Sequence, residues 1–293
     1  MKTLLTFLLV CGLSLSALAQ DVPRELSGQQ INIIVPYAPG GGSDQFSRIL
    51  ATKVRALTGL NLVVVNRPGA QATIGTRESS MAEPTGLTLL GSDNAGVVMN
   101  PLMRPEGWVA RERFTAVVIT AITPQGIYVA QNSPYQSLLD LLALKSPKYG
   151  CAYSMCNLFI ERILGSRDAV SVPYKSTPQV QIDLSTGQLD FIGISSFDAM
   201  AMTQAGRIRP IAFGSDQRLD LYPQAGLFKD AVTDFTATNF HGVYAPKGTP
   251  KHIVDYLNRV YREALRDPEV REQYKARAVQ TWDGSPEQAE QCR

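Results

Sequence analysis

Histidine, tryptophan and cysteine are scarce in this chain, whose 293 residues include 2 His, 2 Trp and 4 Cys. The sequence shows no Ser-His-Asp set, no HExxH zinc motif and no His cluster, so we expect no metal, no cofactor and no catalysis. Charge of one sign is not in excess, because 28 Lys and Arg face 26 Asp and Glu. This balance argues against a nucleic acid as partner. No apolar run reaches the ~20 residues of a transmembrane helix.

The N-terminus carries the pattern of a secretory signal peptide. Lys2 supplies a positive charge, residues 4–15 are mostly apolar, and residues 17–19 read Ala-Leu-Ala, a small-x-small cleavage site. We therefore expect residues 1–19 to be removed and the chain to be exported. The 274 residues that remain (293 less 19) suit two lobes of ~130 residues better than one core.

Three cysteines follow the signal, namely Cys151, Cys156 and Cys292, and an odd number leaves at least one of them unpaired. Cys151 and Cys156 are close enough to bridge a small loop, although their spacing is not the C-x-x-C of a redox enzyme. A structural disulfide and two inert thiols both stay open. A catalytic nucleophile is disfavoured, because no base lies near either residue in the sequence.

A glycine-rich turn at residues 35–44, Val-Pro-Tyr-Ala-Pro-Gly-Gly-Gly-Ser-Asp, is the most informative motif. It follows an apolar strand and precedes a helix whose apolar face is formed by Phe46, Ile49, Leu50, Val54 and Leu57. A helix N-terminus with bare backbone N–H groups binds anions, and three glycines let a ligand approach closely. The spacing matches neither a P-loop nor a dinucleotide fingerprint, and a tight turn without a ligand is the alternative. Ser43 or Asp44 is expected to cap the helix.

Short apolar strands alternate with helical segments along the rest of the chain, which predicts an α/β fold. Further strands are expected at residues 62–65, 88–90, 116–122, 127–129, 169–172, 190–194, 208–213 and 237–245. Thr123-Pro124 separates two of them and marks a crossing into a second lobe. The predicted lobes are residues 20–122 with 238–293, and residues 123–237. In the second lobe we expect a loop at 149–157 and a helix at 158–164.

Four motifs occur in order: residues 35–44, then Asn-Arg-Pro-Gly-Ala at 66–70 with Ile74-Gly75, then Val-Pro-Tyr-Lys at 172–175, and Ala-Pro-Lys-Gly-Thr-Pro at 245–250. Behind a signal peptide, they resemble the Bug family, the periplasmic substrate-binding proteins of tripartite tricarboxylate transporters. The likeness extends over nearly all of the chain after the signal.

This resemblance implies a two-lobe periplasmic binding protein of the Venus-flytrap, type II-like fold. Each lobe would be a mixed, mostly parallel sheet flanked by helices, with the ligand bound between the lobes. The ligand would be a small organic carboxylate, and the partner the membrane permease of a tripartite tricarboxylate-type transporter. The protein would be a periplasmic monomer without enzymatic activity.

The resemblance also implies which residues contact the ligand. In the first lobe the turn would hold a ligand carboxylate through backbone N–H groups and a hydroxyl, and the second lobe would close over it. The implied contacts are Tyr37, Ala38, Gly41, Gly42, Ser43, Asp44, Ala70, Gly75, Ser92, Ser154, Asn157, Tyr174 and Asp198.

Some residues depart from the family pattern. The second-lobe loop at 150–157 carries larger side chains than the usual Gly/Ser-rich loop, and His241 stands where the chain returns to the first lobe. His241 is expected to be a structural or rim residue rather than a ligand contact, and Arg67 a surface residue rather than a ligand clamp. The chain ends at Arg293, so its last helix is expected to be truncated.

A sensor role is the alternative to transport. A closed, loaded protein would then dock on the periplasmic domain of a two-component sensor and report the nutrient. Neighbouring genes for a permease, or for a sensor, would separate these functions.

The turn supplies the first test. Gly42→Val is expected to abolish ligand binding and leave the fold largely intact, because the side chain would fill the space of a ligand carboxylate. Calorimetric titration measures this effect, and unchanged affinity would remove the turn from the binding site.

Overall fold

The computed structural model describes residues 21–70, 72–99, 110–151, 154–165, 167–174, 176–232, 235–285 and 287–288. The predicted signal peptide and Cys292 lie outside these residues. Among the described helices, none is both long and apolar enough to cross a membrane.

Strands and helices alternate over most of the described chain, as the sequence predicts. In chain order the strands are β1 (Gln30–Val35), β2 (Asn61–Asn66), β3 (Thr88–Asp93), β4 (Phe114–Ala130), β5 (Lys148–Cys151), β6 (Val170–Pro173), β7 (Phe191–Ser195), β8 (Ile208–Phe213), β9 (Gly226–Leu227) and β10 (Thr238–Pro246). The helices are α1 (Gly42–Thr58), α2 (Thr73–Ser80), α3 (Leu138–Leu142), α4 (Ser154–Leu164), α5 (Thr177–Ser185), α6 (Ser196–Gln204), α7 (Lys251–Arg266) and α8 (Pro268–Lys275).

The chain divides into two compact units. Unit 1 contains the described residues up to Ala121, then Phe240–Glu272 and the residues from Thr281 onward. Unit 2 contains Ile122–Asn239 and Gln273–Gln280. The last of these segments was placed in the first lobe by the sequence analysis. It joins unit 2 because Ile122 and Gln280 exchange backbone hydrogen bonds, each 2.9 Å long.

The sheet of unit 1 is mostly parallel. Its strand order is β2-β1-β3-β10-β4, with β1 parallel to both β2 and β3 and β10 antiparallel to β3. Helices α1 and α7 pack against each other on this unit. One face of α7 is apolar and buried, and it consists of Ile253, Val254, Leu257, Val260, Tyr261, Ala264 and Leu265. Burial of this apolar stripe holds α7 on the core.

The sheet of unit 2 is mixed, in the order β9-β8-β4-β7-β5-β6. Strand β4 runs antiparallel to β7 and β8, whereas β5 is parallel to β6 and β7. Two buried clusters form its core. One is centred on the stacked rings of Phe159 and Phe228, and the other on the edge-to-face pair of Tyr128 and Phe213.

Strand β4 differs from the sequence prediction because it is one continuous strand of 17 residues. In the sequence, Pro124 indicates the end of a strand, because proline has no N–H to donate to a neighbouring strand. In the structure Pro124 lies where β4 passes from one unit to the other. The ladder with β7 begins only at Gln125, so the missing N–H costs no hydrogen bond of that ladder.

The expected loop at residues 149–157 is also wrong. The chain forms β5 up to Cys151, and α4 already begins at Ser154. A disulfide joins Cys151 to Cys156, with 5.7 Å between their Cα atoms. Both sulfur-bearing residues are buried, so the bridge ties the end of β5 to the first turn of α4 inside the core of unit 2.

The N-cap of α5 is Ser176. The N-cap of α7 is Pro250 and not the preceding Thr249, although threonine is the more common capping residue. Thr249 instead donates its hydroxyl to the carbonyl oxygen of Pro246 at 2.8 Å, which stabilises the preceding turn.

The Cys151–Cys156 disulfide is expected to stabilise the folded protein by a measurable amount. Replacing both cysteines, as Cys151→Ala with Cys156→Ala, is expected to lower the free energy of unfolding by about 2 kcal/mol, because the bridge restricts a short loop of the unfolded chain. Urea unfolding measures the difference. Reduction of the unmodified protein is the matched control and should produce a similar loss. Equal stability of the oxidised and reduced protein would contradict this assignment.

Candidate functional site

The N-terminus of α1 has no side-chain cap. Its N-cap residue is Gly41, with φ −73° and ψ 171°, and neither Ser43 nor Asp44 takes the capping position expected from the sequence. The backbone N–H groups of Gly42 and Ser43 have no acceptor among the described residues. These groups therefore remain available to an anion placed at the end of the helix.

Asp44 lies in the first turn of α1, and its carboxylate organises the turn that precedes the helix. Its carboxylate accepts hydrogen bonds from the N–H of Gly40 (2.9 Å), from Nε of Arg48 (3.0 and 3.1 Å) and from Nδ2 of Asn66 (2.9 Å). Burial raises the pKa of Asp44, but these donors outweigh burial and the net pKa lies below its ordinary value. Asn66 also donates to the carbonyl oxygen of Tyr37 at 3.0 Å, so the network holds both ends of the turn.

Ser43 is paired with His241 beneath the same helix end. Its Oγ lies 3.0 Å from Nδ1 of His241, and both residues are buried. The imidazole packs edge-to-face on Phe46, with ring centroids 4.8 Å apart, and the hydroxyl of Thr120 donates to the carbonyl oxygen of His241. A Cβ on Gly42 would lie 3.1 Å from Cε1 of His241, so the ring occupies the space beside this glycine.

A second polar cluster lies where β3 ends. This strand continues to Asp93, so Ser92 lies within it rather than in the loop expected after residue 90. The hydroxyl of Tyr37 donates to Oδ1 of Asp93 at 2.5 Å, and the N–H of Gly96 donates to the same oxygen at 3.0 Å. Burial, and then the charge of Asp93, raise the pKa of Tyr37. Ser92 is buried beside the Tyr37 hydroxyl.

The remaining predicted residues of unit 1 have different roles. Ala38 and Ala70 are exposed, and Ala70 has a positive φ of 47°. Gly75 is buried, and a Cβ there would lie 2.7 Å from the carbonyl oxygen of Arg67, so this glycine permits close packing of α2. The side chain of Arg67 forms an exposed ion pair with Glu78, as expected of a surface residue.

The predicted residues of unit 2 lie around β5, β6 and β7. Ser154 is the first residue of α4, and Oδ1 of Asn157 accepts from the hydroxyl of Ser171 at 3.2 Å. The hydroxyl of Tyr174 donates to Asp183 at 2.7 Å, and burial together with this carboxylate raises its pKa to about 12.

Asp198 is exposed and belongs to the first turn of α6 rather than to a strand end. Its Oδ2 accepts from the hydroxyl of Ser195 at 2.8 Å, while its own N–H donates to Oγ of Ser195. This reciprocal pair caps the helix, so the positions of both side chains are explained by capping without a ligand. Across the described part of the chain, no group of three or more His, Cys, Asp or Glu residues is arranged to hold a metal.

Comparison with known proteins identifies the family. Residues 46–292 match the family described as tripartite tricarboxylate transporter family receptor. The chain belongs to this receptor family. The match covers most of the sequence but begins after the glycine-rich turn, so the argument for the turn rests on its own geometry.

Individual relatives of the receptor support this assignment, and the resemblance to the Bug family is confirmed. A UPF0065 protein of Bordetella bronchiseptica is 27% identical over 295 residues, which cover 97% of this chain and 86% of that protein. Protein BugT of Bordetella pertussis is also 27% identical over 295 residues, with coverages of 96% and 89%.

Solved structures confirm the fold class of the receptor. A structure described as a periplasmic transporter aligns with a TM-score of 0.78 and 28% identity, over 90% of this chain and 92% of that chain. An adipate-bound protein of Rhodopseudomonas palustris aligns with a TM-score of 0.79 and 23% identity, over 91% and 93%. A malate-bound protein of the same species has a TM-score of 0.76 and 21% identity, over 91% and 95%. At these identities the last two show the fold alone.

Sequence reasoning did not predict several residues of the candidate site. Arg48 and Asp93 were not predicted, although Arg48 lies four residues after Asp44, a spacing at which helical side chains meet. Thr120 and His241 reach the site across more than 100 residues of sequence, and no local pattern announces such contacts. His241 was expected to be a structural or a rim residue, and its burial fits the structural role.

The burial of His241 predicts a pH dependence of stability. Burial lowers the pKa of His241 from 6.5 to about 4, only partly opposed by the charge of Asp93. As the pH falls, His241 is protonated near pH 6.5 in the unfolded chain but only near pH 4 in the folded protein. The free energy of unfolding should therefore decrease as the pH is lowered from 6.5 to 4. This decrease should be up to roughly 3 kcal/mol larger than in His241→Phe. Urea unfolding of both proteins at several pH values tests this, and parallel curves would contradict it.

Proposed function

We propose that this receptor is a periplasmic solute-binding protein that captures a small organic carboxylate and delivers it to a tripartite tricarboxylate-type membrane permease. Family membership supports the transport role, since the family is one of transport receptors and not of enzymes. The adipate and malate of the two R. palustris structures support the ligand class. Export by a signal peptide, a monomeric state and the lack of catalysis stay predictions.

The uncapped N-terminus of α1 is the observation that carries this proposal. Gly40 and Gly41 are exposed, and the free N–H groups of Gly42 and Ser43 follow directly. A carboxylate placed there accepts hydrogen bonds from neutral donors and also interacts favourably with the helix dipole. No positively charged side chain is needed for such a site.

The charge of Asp44 is compatible with an anionic ligand because it is already compensated. Arg48 forms an ion pair with its carboxylate at 2.9 Å, and two neutral N–H donors satisfy the remaining acceptor positions. This compensation limits the repulsion that an isolated carboxylate would exert on a ligand nearby.

Ligand binding should be visible as thermal stabilisation. Adipate, malate, other di- and tricarboxylates, aromatic acids and acidic amino acids form the panel, applied after unfolding and refolding to remove any co-purified ligand. A ligand at 100 times its dissociation constant adds about 2.7 kcal/mol of stability, which raises the unfolding midpoint by several degrees. A panel without any response would contradict the proposal.

Gly41→Val tests the turn more cleanly than Gly42→Val. A Cβ on Gly41 meets only the carbonyl oxygen of Ala38 at 3.8 Å, whereas one on Gly42 presses on His241 and Phe46. We expect Gly41→Val to weaken carboxylate binding at least about tenfold, because its bulk blocks close approach to the backbone, with the unfolding midpoint of the free protein preserved. Calorimetry measures the affinity.

Ala56→Val is the matched control for this variant. Ala56 is exposed on α1, fifteen positions along the helix from Gly41, so the same added bulk lies far from the helix N-terminus. Its affinity for the carboxylate should equal that of the unmodified protein. Equal affinity of Gly41→Val and Ala56→Val would exclude the turn from the binding site.

A further inference from the structure

The Ser43–His241 pair can share its hydrogen in two ways. Either the Ser43 hydroxyl donates to a bare Nδ1, or Nδ1–H donates to Oγ of Ser43, and the 3.0 Å distance allows both. In the first arrangement the only hydrogen of the hydroxyl is used inside the protein. In the second the hydroxyl hydrogen is free to point elsewhere.

A carboxylate ligand discriminates between these arrangements because its oxygens only accept hydrogen bonds. Ser43 is the second residue of α1, so its N–H, which has no acceptor among the described residues, lies at the helix end that the proposed function assigns to the carboxylate. The hydroxyl can donate to that anion only when His241 donates to the hydroxyl.

We propose that His241 is a positioning residue of the carboxylate site, which holds its hydrogen on Nδ1 and thereby turns the Ser43 hydroxyl into a donor to the ligand. This inference rests on the proposed function and adds a specific role for one buried side chain. His241 does not contact the ligand in this arrangement and acts through Ser43.

The surroundings of His241 suit this role. The imidazole ring contacts Phe46 and fills the space beside Gly42, which has no side chain. The hydroxyl of Thr120 donates to the carbonyl oxygen of His241 and holds its backbone. Such fixation favours one ring orientation, in which Nδ1 faces Ser43.

The charged groups around the ring are few and engaged with other partners. Asp93 is opposite His241 in the β3–β10 ladder but is occupied by the Tyr37 hydroxyl and the Gly96 N–H. Asp44 on α1 is compensated by Arg48. Burial keeps the ring neutral near pH 7, since its pKa lies at about 4, so one nitrogen carries the hydrogen and the other does not.

A double-mutant cycle tests the coupling. The affinity for adipate and malate is measured by calorimetry for the unmodified protein, Ser43→Ala, His241→Phe and the double variant. Each single variant should lose about tenfold in affinity, the size of one hydrogen bond to a charged group, and the double variant should lose no more than Ser43→Ala alone. Phenylalanine keeps the ring contact with Phe46 but has no nitrogen. Circular dichroism and the unfolding midpoint confirm that each variant is folded.

His241→Asn is the conservative rescue. Its amide nitrogen lies near the position of Nδ1 and can donate to Oγ of Ser43, so we expect it to recover most of the affinity that His241→Phe loses. If His241 acted only by packing, His241→Asn should lose at least as much affinity as His241→Phe, because asparagine fills less space than either ring.

Nitrogen-15 spectroscopy reads the hydrogen position directly. The His252→Gln background leaves His241 as the one imidazole of the chain, since the sequence contains 2 His. His252 is exposed and paired with Glu25, well separated from this site in its contacts, so its replacement should not affect binding. With a bound carboxylate we expect protonated Nδ1 and bare Nε2.

The outcomes separate the inference from the proposed function. If the unmodified protein binds none of the carboxylates, the proposed function fails. If it binds and Ser43→Ala weakens binding while His241→Phe does not, the role of His241 is overturned and the function stands. Additive losses in the cycle, or hydrogen on Nε2 in the bound state, overturn it as well.

Discussion

The buried carboxylate of Asp44 is the constraint on which the candidate site depends. A carboxylate removed from water needs several donors, and here it draws the backbone of Gly40, the side chain of Arg48 and the amide of Asn66 around itself. The turn is shaped by satisfying this internal anion. The backbone N–H groups of Gly42 and Ser43 take no part in this network and have no acceptor among the described residues.

Much of the fold could be predicted because it follows from local periodicity. The apolar stripe of α7 and the strand–helix alternation of unit 1 are visible in the sequence, and both occur in the structure. The errors arose where the local pattern did not decide the structure. Pro124 does not end β4, since the ladder with β7 begins only at Gln125, and α4 begins at Ser154 instead of residue 158.

The candidate site was predictable in part for the same reason. Three consecutive glycines before an amphipathic helix mark the turn in the sequence, although the same pattern also fits a tight turn without a ligand. The sequence could not show that Asp44 pairs with Asn66 or that Ser43 pairs with His241, which lie 22 and 198 residues apart. Only the parallel sheet, with β10 inserted beside β3, brings these side chains together.

The position of β10 also has a consequence for how the chain acquires its structure. This strand lies between β3 and β4 in the sheet of unit 1, yet it is synthesised more than 100 residues after either β3 or the first half of β4. The N-terminal segment therefore cannot close its sheet as it emerges and must wait with two open strand edges. Contacts of such long sequence separation slow folding and leave edges exposed to other chains. A newly made molecule therefore keeps these strand edges open until residue 246 has been synthesised, and it is exposed to aggregation in that interval.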